Sequence, residues 1–457
     1  MEDVKGKVYF ETYGCAMNFN DTELVAGILK KDHYEVTSDI NDANLIFVNT
    51  CSIRDNAEQR IFSRLQHLKG LKRRNNAVIG IMGCMAERLK SELIEKQKLV
   101  DIVVGPDAYR DVPRLISLAK LGDKAVNTLL SLEETYEDIT PFRSNGVTGW
   151  LSVMRGCDNF CTFCVVPFTR GRERSRSIES IVKEMEIISA EGVIKDVTLL
   201  GQNVNSYNDN GRRFAELMEA VAAVDRSIRI RFSTSHPKDF SDSVLEAIRD
   251  NENICKYVHI PFQAGSSKVL KDMNRTYTQE EYLALIDHIK EMIPGVSLST
   301  DVMVGFPNET EEDFLETLKV MKTVRFDSAY MFIYSPREGT KAYKMGDTVS
   351  EEIKTQRLNR LIEVQERIAF ENNQNRIGNI ETVMIEHQAK RNSNEWMGRT
   401  DTNIKVVLPK EEGYGVGSYA KVRIVSGSGH TLKAEVLSTK THEGLLRETQ
   451  ELTPVNS

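Results

Sequence analysis

Cys157, Cys161 and Cys164, in the run Met154-Arg-Gly-Cys-Asp-Asn-Phe-Cys-Thr-Phe-Cys-Val-Val-Pro167, are spaced C-x-x-x-C-x-x-C. Cysteine thiolates are the usual ligands of iron–sulfur clusters, and a complete cluster normally takes four of them. This run supplies three. A cubane held by three thiolates leaves one iron without a protein ligand, so a small molecule can bind there and exchange electrons with the cluster. Zinc is the competing reading, but structural zinc sites pair a C-x-x-C unit with two further Cys or His ligands. No second pair follows at that spacing.

An iron left open on a redox-active cluster is what radical S-adenosylmethionine (SAM) chemistry requires. Three more cysteines stand in related positions. Cys15 follows a β-like run at 7–14, Cys51 follows Asn49-Thr50, and Cys84 follows Ile79-Gly-Ile-Met-Gly83. In open parallel sheets, ligands bind outside the carboxyl ends of the strands. A lone cysteine reads first as a buried small hydrophobe. Three at equivalent strand ends, beside Gly14, Ser52 and Gly83, point to a second cluster or metal site, again with three thiolates. Cys255 has no partner in either set and reads as structural.

The elements that must position these thiols follow from periodicity. At 457 residues the length prior gives about three domains. A hydrophobic content of 40% and a charged content of 28% fit a globular chain. No apolar stretch approaches the roughly 20 residues needed to span a bilayer. The charged start has no signal-peptide pattern, so a cytoplasmic location without membrane contact is expected. Seven cysteines, an odd number, argue for metal or redox chemistry over a disulfide framework.

Strand-like runs at 7–14, 45–50, 78–83 and 101–105 alternate with helical stretches, predicting a doubly wound parallel α/β sheet over 1–125. Residues 126–147 read as a linker ending in the turn-rich Arg143-Ser-Asn-Gly146. Six further strands, at 150–154, 196–200, 228–233, 257–261, 297–304 and 329–335, predict a partial β/α barrel of six strands over 148–375. Helices are expected at 177–191 and 278–292, and a long amphipathic one at 351–375. Short strands at 381–386, 404–408, 419–425 and 432–437 then predict a small β-barrel over 376–442, followed by a tail, 443–457.

The net charge of −7 does not announce a nucleic-acid binder, but local charge decides more than the sum. Arg170-Gly-Arg-Glu-Arg-Ser-Arg176 carries four arginines beside the cysteine run, and Arg60, Arg64, Lys69, Lys72 and Arg73 form a second basic stretch. Arg172, Arg174 and Arg176 are candidates for a carboxylate or for phosphates, since guanidinium groups suit bidentate anion contacts. Barrel function sits at strand carboxyl ends. That singles out Gln202 and Asn203 after the second strand, Ser233, Ser235 and His236 after the third, Gln263 after the fourth, and Asp301 in the fifth. Phe19, Phe160 and Phe168 are candidates for stacking on a splayed base.

Thr12-Tyr-Gly-Cys-Ala-Met-Asn18, Asn49-Thr-Cys-Ser-Ile-Arg54, Gly83-Cys-Met-Ala86, Pro167-Phe-Thr-Arg170, Leu200-Gly-Gln-Asn-Val204, His259-Ile-Pro-Phe-Gln263 and Thr300-Asp-Val-Met-Val-Gly-Phe-Pro307 stand together with the Cys157 run. With these motifs in this order the chain resembles the methylthiotransferase family of radical-SAM enzymes over nearly its whole length. The stretch Gly398-Arg-Thr-Asp-Thr-Asn403 resembles the TRAM RNA-binding module.

The resemblance implies a 4Fe-4S cluster on Cys157, Cys161 and Cys164 that binds SAM at its open iron and generates a 5′-deoxyadenosyl radical. It implies an auxiliary 4Fe-4S cluster on Cys15, Cys51 and Cys84 that carries sulfur, methylated by a second SAM. Gln202 and Asn203 match where such enzymes hold the SAM amino group. The implied substrate is tRNA carrying isopentenyladenosine next to the anticodon, methylthiolated at carbon 2. A flavodoxin or ferredoxin as electron donor and an iron–sulfur carrier protein are the implied partners. Sister activities, on threonylcarbamoyladenosine in tRNA or a ribosomal-protein aspartate, share both cysteine sets, and a non-catalytic iron–sulfur RNA-binding protein is the rival from another class.

Overall fold

The computed structural model describes residues 4–51, 55–143 and 146–440, the side chains of 55–59 and 440 excepted. The expected tail at 443–457, the last residues of the expected C-terminal barrel, and Ser52 lie outside the described residues. The first domain is a six-stranded parallel sheet in the spatial order Tyr34–Val36, Gly6–Thr12, Leu45–Thr50, Val78–Gly83, Ile102–Val104, Ala125–Asn127. Leu45–Thr50 and Val78–Gly83 are buried along their whole length because helices cover both faces. Leu45 and Phe47 enter one core with Leu24, Leu29 and Val112, while Ile46 and Val48 enter the other with Ile61, Leu65 and Leu68. That is the two-residue period of a strand buried on both sides.

The boundary expected at 125 is corrected by the structure. Ala125–Asn127 is the sixth strand of the first sheet, paired in parallel with Ile102–Val104. Tyr136 is buried in that domain's core, and its hydroxyl donates to the Pro106 carbonyl at 3.0 Å. Much of 126–147 therefore packs as part of the first domain. As an edge strand, Ala125–Asn127 buries only Ala125, so it lacks the apolar run by which Ile102–Val104 is read from the chain.

The central strands form two parallel three-stranded sheets. Thr148–Ser152, Asp196–Leu200 and Arg229–Phe232 make one, and Tyr257–His259, Ser297–Val304 and Ser328–Ile333 the other. A parallel bridge between Ile230 and Ile254 joins them into a partial barrel of six strands. Outer helices start where expected. Ser177 caps Ile178–Glu191, and Thr278 with Glu281 forms a reciprocal capping box on Gln279–Met292. Each hydroxyl accepts from an amide of the first turn that would otherwise lack a partner.

Helix Glu351–Gln374 starts beside Gly305, past the carboxyl end of Ser297–Val304, and ends beside Arg325, ahead of strand Ser328–Ile333. At 1.5 Å per residue it runs about 36 Å, returning the chain to the amino end of the barrel. There a closed five-stranded β-barrel docks, in the order Ile380–Gln388, Glu395–Thr400, Lys405–Pro409, Leu432–Lys440, Tyr419–Gly427. Strand Glu395–Thr400 was not anticipated. Arg229 donates to the Arg399 and Thr382 carbonyls, and Arg231 to those of Thr400 and Asp401. The segment Gly398 to Asn403, whose motif resembles an RNA-binding module, thus closes the end of the central barrel opposite the Cys157 run. Among the described residues no helix is long and apolar enough to cross a membrane.

Two cysteine sets joined across a domain interface

Cys157, Cys161 and Cys164 lie in the loop between Met154–Arg155 and the short helix Val166–Thr169, beyond the carboxyl end of the first barrel strand. The loop is tied down by its neighbour. Thr162 donates its amide to Met273 O (3.0 Å) and its hydroxyl to Asp272 O (2.9 Å), while the Asn274 side chain donates to Phe160 O (3.1 Å). Gly156 has φ +79°, and a Cβ there would meet Arg172 O at 1.9 Å, so only glycine lets the two loop strands close on each other. Phe160 at φ 47°, Thr234 at φ 67° and Gln263 at φ 67° are non-glycine residues in left-handed backbone, all around this end of the barrel. Strain of that kind concentrates at functional sites.

Arg275 donates from Nη1 to Cys161 Sγ at 3.4 Å while Nε and Nη2 hold Tyr277 Oη and Pro261 O, both at 3.0 Å. Burial pushes the Cys157 thiol up to about 11 and the Cys164 thiol up to about 12. A cluster needs thiolates, so a cluster held by this loop would release protons on binding.

The second set sits on three adjacent strands of the first sheet. Cys15 caps the amino end of helix Ala16–Lys31, Cys51 follows Leu45–Thr50 directly, and Cys84 opens helix Cys84–Leu89. Parallel registers place Thr12 beside Asn49, and Thr50 beside Gly83, so the three cysteines share one sheet edge. The turns close tightly over this edge. A Cβ on Gly14 would stand 2.6 Å from Cys51 Cβ, and one on Gly83 would stand 2.4 Å from Asn49 Oδ1. A hydrogen bond with Cys51, helped by the charge of Arg170, lowers the exposed Cys15 thiol to about 6. Burial raises the Cys84 thiol, against the opposing charge of Arg170.

Arg170 links the two sets. It follows helix Val166–Thr169, six residues after Cys164, and its Nε donates to Cys84 Sγ at 3.2 Å across the domain interface. Around it lies a buried charge network. Asp21 accepts from Arg155 (3.1 Å), Arg170 (2.7 Å) and the Tyr109 hydroxyl (3.1 Å). Asp107 accepts from Arg174 through both oxygens, at 2.9 and 3.0 Å. Chain-local reasoning singled out none of Asp21, Asp107, Arg155 or Arg275. Arg155 and Arg170 flank the cysteine run, and no sequence signal separates such a buried arginine from a solvated one.

Two expected anion binders are corrected by this network. Arg174 is 7% exposed with its amino groups on Asp107, and Arg176 is buried on Glu184 and the Ser152 carbonyl. Arg174 spends its charge on Asp107 of the first domain, and Arg176 spends its own within the barrel. Arg172 differs: it is exposed, pairs with Asp158 at 2.9 Å, and lies over the Phe160 ring. Phe160 meets Phe168 edge to face at 6.4 Å, and Phe168 and Phe19 are exposed.

Of the other expected contacts, Gln202 Oε1 accepts the Gly156 amide at 2.5 Å, binding the second strand's loop to the cysteine loop. Asn203 donates to Asp239 at 2.7 Å, but its buried Oδ1 has no partner, nor has the buried Ser235 Oγ. Ser233 is half-buried at the end of its strand. Gln263 pairs its backbone with Asp301 and Met303, and the Asp301 carboxylate lies 3.6 Å from His259 Nε2. His236 is buried against Tyr277, and burial with Arg275 nearby lowers it to about 2. Cys255 is buried at the other end of the barrel, near Arg231 and Asp196, with its thiol raised to about 11 by burial.

The donor chemistry fits a cluster and SAM. Each set offers three thiols, with Arg275 donating to Cys161 and Arg170 to Cys84, and the orphaned Asn203 and Ser235 oxygens suit the amino group and hydroxyls of a SAM molecule. Among the described residues no three Cys, His, Asp or Glu side chains gather as the ligands of one metal ion would. A cubane spreads its thiolates over separate irons.

Comparison with known proteins agrees with this geometry. Residues 151–321 match the radical SAM superfamily, 7–105 match the uncharacterized protein family UPF0004, and 374–437 match the TRAM domain. The chain is 48% identical to a tRNA-2-methylthio-N(6)-dimethylallyladenosine synthase of Chloroherpeton thalassium, covering 95% of this chain and 96% of that one. It is 45% identical to the mitochondrial tRNA methylthiotransferase CDK5RAP1 of Rattus norvegicus, over 95% of this chain and 82% of the relative. In fold it is similar to the radical SAM methyltransferase TsrM of Kitasatospora setae, with a TM-score of 0.55 at 14% identity, over 71% of this chain and 72% of that one. With 48% identity over nearly the full length of both chains, and with radical SAM and TRAM matches of its own, the chain belongs to the methylthiotransferase family of radical-SAM enzymes.

Proposed function

We propose that the protein is a tRNA-2-methylthio-isopentenyladenosine synthase, which places a methylthio group on carbon 2 of the base that its relatives' names call dimethylallyladenosine. Cys157, Cys161 and Cys164 hold the 4Fe-4S cluster that binds SAM, and Cys15, Cys51 and Cys84 hold an auxiliary 4Fe-4S cluster. When bound, the first supplies a deoxyadenosyl radical from SAM and the second supplies methylated sulfur. The observation that carries the reading is the Arg170 to Cys84 contact, which ties the loop of one cysteine set to the helix of the other.

The chain's own groups position the rest. Gln202 fixes the cysteine loop through the Gly156 amide, so its role toward SAM is to hold the loop that meets it. Asn203 and Ser235 offer SAM their unpaired oxygens, with Ser233, Gln263 and Asp301 on the same rim. Arg172 takes a tRNA phosphate at the rim, where Phe160 and Phe168 present their rings to a splayed base. The enzyme works in the cytoplasm and draws on a small electron-transfer protein, a flavodoxin or ferredoxin, and on an iron–sulfur carrier.

Anaerobic reconstitution followed by iron counting tests the cluster assignment: about eight irons per chain are expected, falling to about four when Cys15, Cys51 and Cys84 are replaced by Ala. Deoxyadenosine formation should survive that change and vanish in Cys157→Ala. Nucleoside analysis of tRNA from a deletion strain tests the substrate, and an unchanged level of methylthiolated isopentenyladenosine rejects it.

A further inference from the structure

Arg170 is 2% exposed, and its guanidinium has five N–H donors to satisfy. Nε meets Cys84 Sγ at 3.2 Å and Nη2 meets Asp21 at 2.7 Å, while buried Nη1 has no acceptor. The neighbouring Arg155 and Arg174 direct their bonds to oxygen: carboxylates of Asp21 and Asp107 and main-chain carbonyls. In each cysteine set an arginine donates to a sulfur, but with a difference. Arg275 reaches Cys161 from within the barrel, whereas Arg170 reaches Cys84 from the other domain.

We propose that Arg170 is a positioning and potential-setting residue of the auxiliary site, donated to it by the radical-generating domain. Its Nε–H stays on the Cys84 sulfur when the cluster is bound, and Nη1, without a protein acceptor, takes a further sulfur of the bound group. The inference rests on the auxiliary-cluster assignment above. Hydrogen bonds to cluster sulfurs and nearby positive charge both favour the more negative, reduced state, so they raise the reduction potential. Because donor and ligand come from different domains, the auxiliary potential depends on the Arg170 side chain itself reaching Cys84 across the interface. The sulfur carrier is electronically complete only when it faces the radical source.

The test uses full-length protein with Cys157, Cys161 and Cys164 replaced by Ala, so that only the auxiliary cluster remains. Its potential is read by an EPR-monitored redox titration. Arg170→Gln and Arg170→Met should each lower the reduction equilibrium constant about tenfold or more, which for one electron is about 59 mV. Arg174→Met, which breaks an interface pair without touching sulfur, should leave it unchanged. Asp21 keeps Arg155 and Tyr109 in both Arg170 variants, so the fold survives. Loss of iron in both Arg170 variants, with native circular dichroism and with iron retained by Arg174→Met, also supports the proposal.

An unshifted potential in an iron-loaded Arg170 variant overturns the proposal, as does an equal shift in Arg174→Met. Failure of the parent itself to take up iron is a different result. It removes the auxiliary cluster, and the inference with it.

Discussion

Replacing Asp21 by Asn tests whether the interface between the cysteine sets is held by charge. Asp21 lies six residues after Cys15 on helix Ala16–Lys31 and is fully buried. One oxygen accepts from Arg155, the other from Arg170 and Tyr109. Asparagine keeps one acceptor and turns an amide donor toward a buried guanidinium. Removing one partner of a buried ion pair costs about 3–5 kcal/mol, because the remaining charge stays desolvated. At about 2–4 °C per kcal/mol for a domain of this size, the unfolding midpoint of the metal-free chain should fall by about 10 °C. Tyr109→Phe removes one hydrogen bond and leaves both arginines on the carboxylate, so about 1 kcal/mol is expected. Thermal unfolding by circular dichroism of the two variants and the parent gives the comparison. A drop of under about 2 °C in Asp21→Asn, or one no larger than in Tyr109→Phe, refutes the claim that paired charge holds the interface.

Arg174→Met should destabilise the chain on the same scale as Asp21→Asn and leave tRNA affinity unchanged, whereas Arg172→Ala should spare stability and reduce the slope of log affinity against log salt by about one, as measured by filter binding at several salt concentrations. His236 is held near 2 in the folded state and titrates near 6.5 unfolded, so the unfolded state binds the extra proton as pH falls below about 6.5. Stability should drop by about 1.4 kcal/mol per pH unit from this group, and His236→Gln should flatten that part of a denaturant-midpoint profile between pH 6.5 and 4.5. Gly83→Ala places a Cβ 2.4 Å from Asn49 Oδ1 at φ +91°, and should lower auxiliary iron uptake in an iron assay while sparing deoxyadenosine formation.

The thiol patterns were legible because their information is local. The spacing of Cys157, Cys161 and Cys164 is itself the count of candidate ligands, and the strands before Cys51 and Cys84 open with apolar runs while the one before Cys15 shows the β-rich Val8-Tyr-Phe10. The order of α/β sheet, six-stranded partial barrel and small β-barrel followed from periodicity and turn residues in the same way. The edge strands Tyr34–Val36 and Ala125–Asn127 escaped because each buries only one side chain, whereas the equally short Ile102–Val104 buries all three.

Charge was read less well. Arg172, Arg174 and Arg176 look alike along the chain, yet one is exposed and two are buried on carboxylates. The motif from Gly398 to Asn403 resembles the TRAM module, which the family match over 374–437 bears out, and its carbonyls also accept from Arg229 and Arg231 to close the central barrel, a contact the motif does not show. An arginine's role is set by which acceptor lies within about 3 Å of it, and that acceptor can be distant in sequence.

Short segments of the chain were enough to reveal two sets of three cysteines on α/β scaffolds, because residue type, number and strand-end position are local properties. Tertiary structure alone decided that the two sets meet. Arg170 and Cys84 stand 86 residues apart, and their contact exists only because Asp21 and Asp107 of one domain neutralise Arg155, Arg170 and Arg174 of the other. Buried charges must find partners, and here the partners lie across the interface.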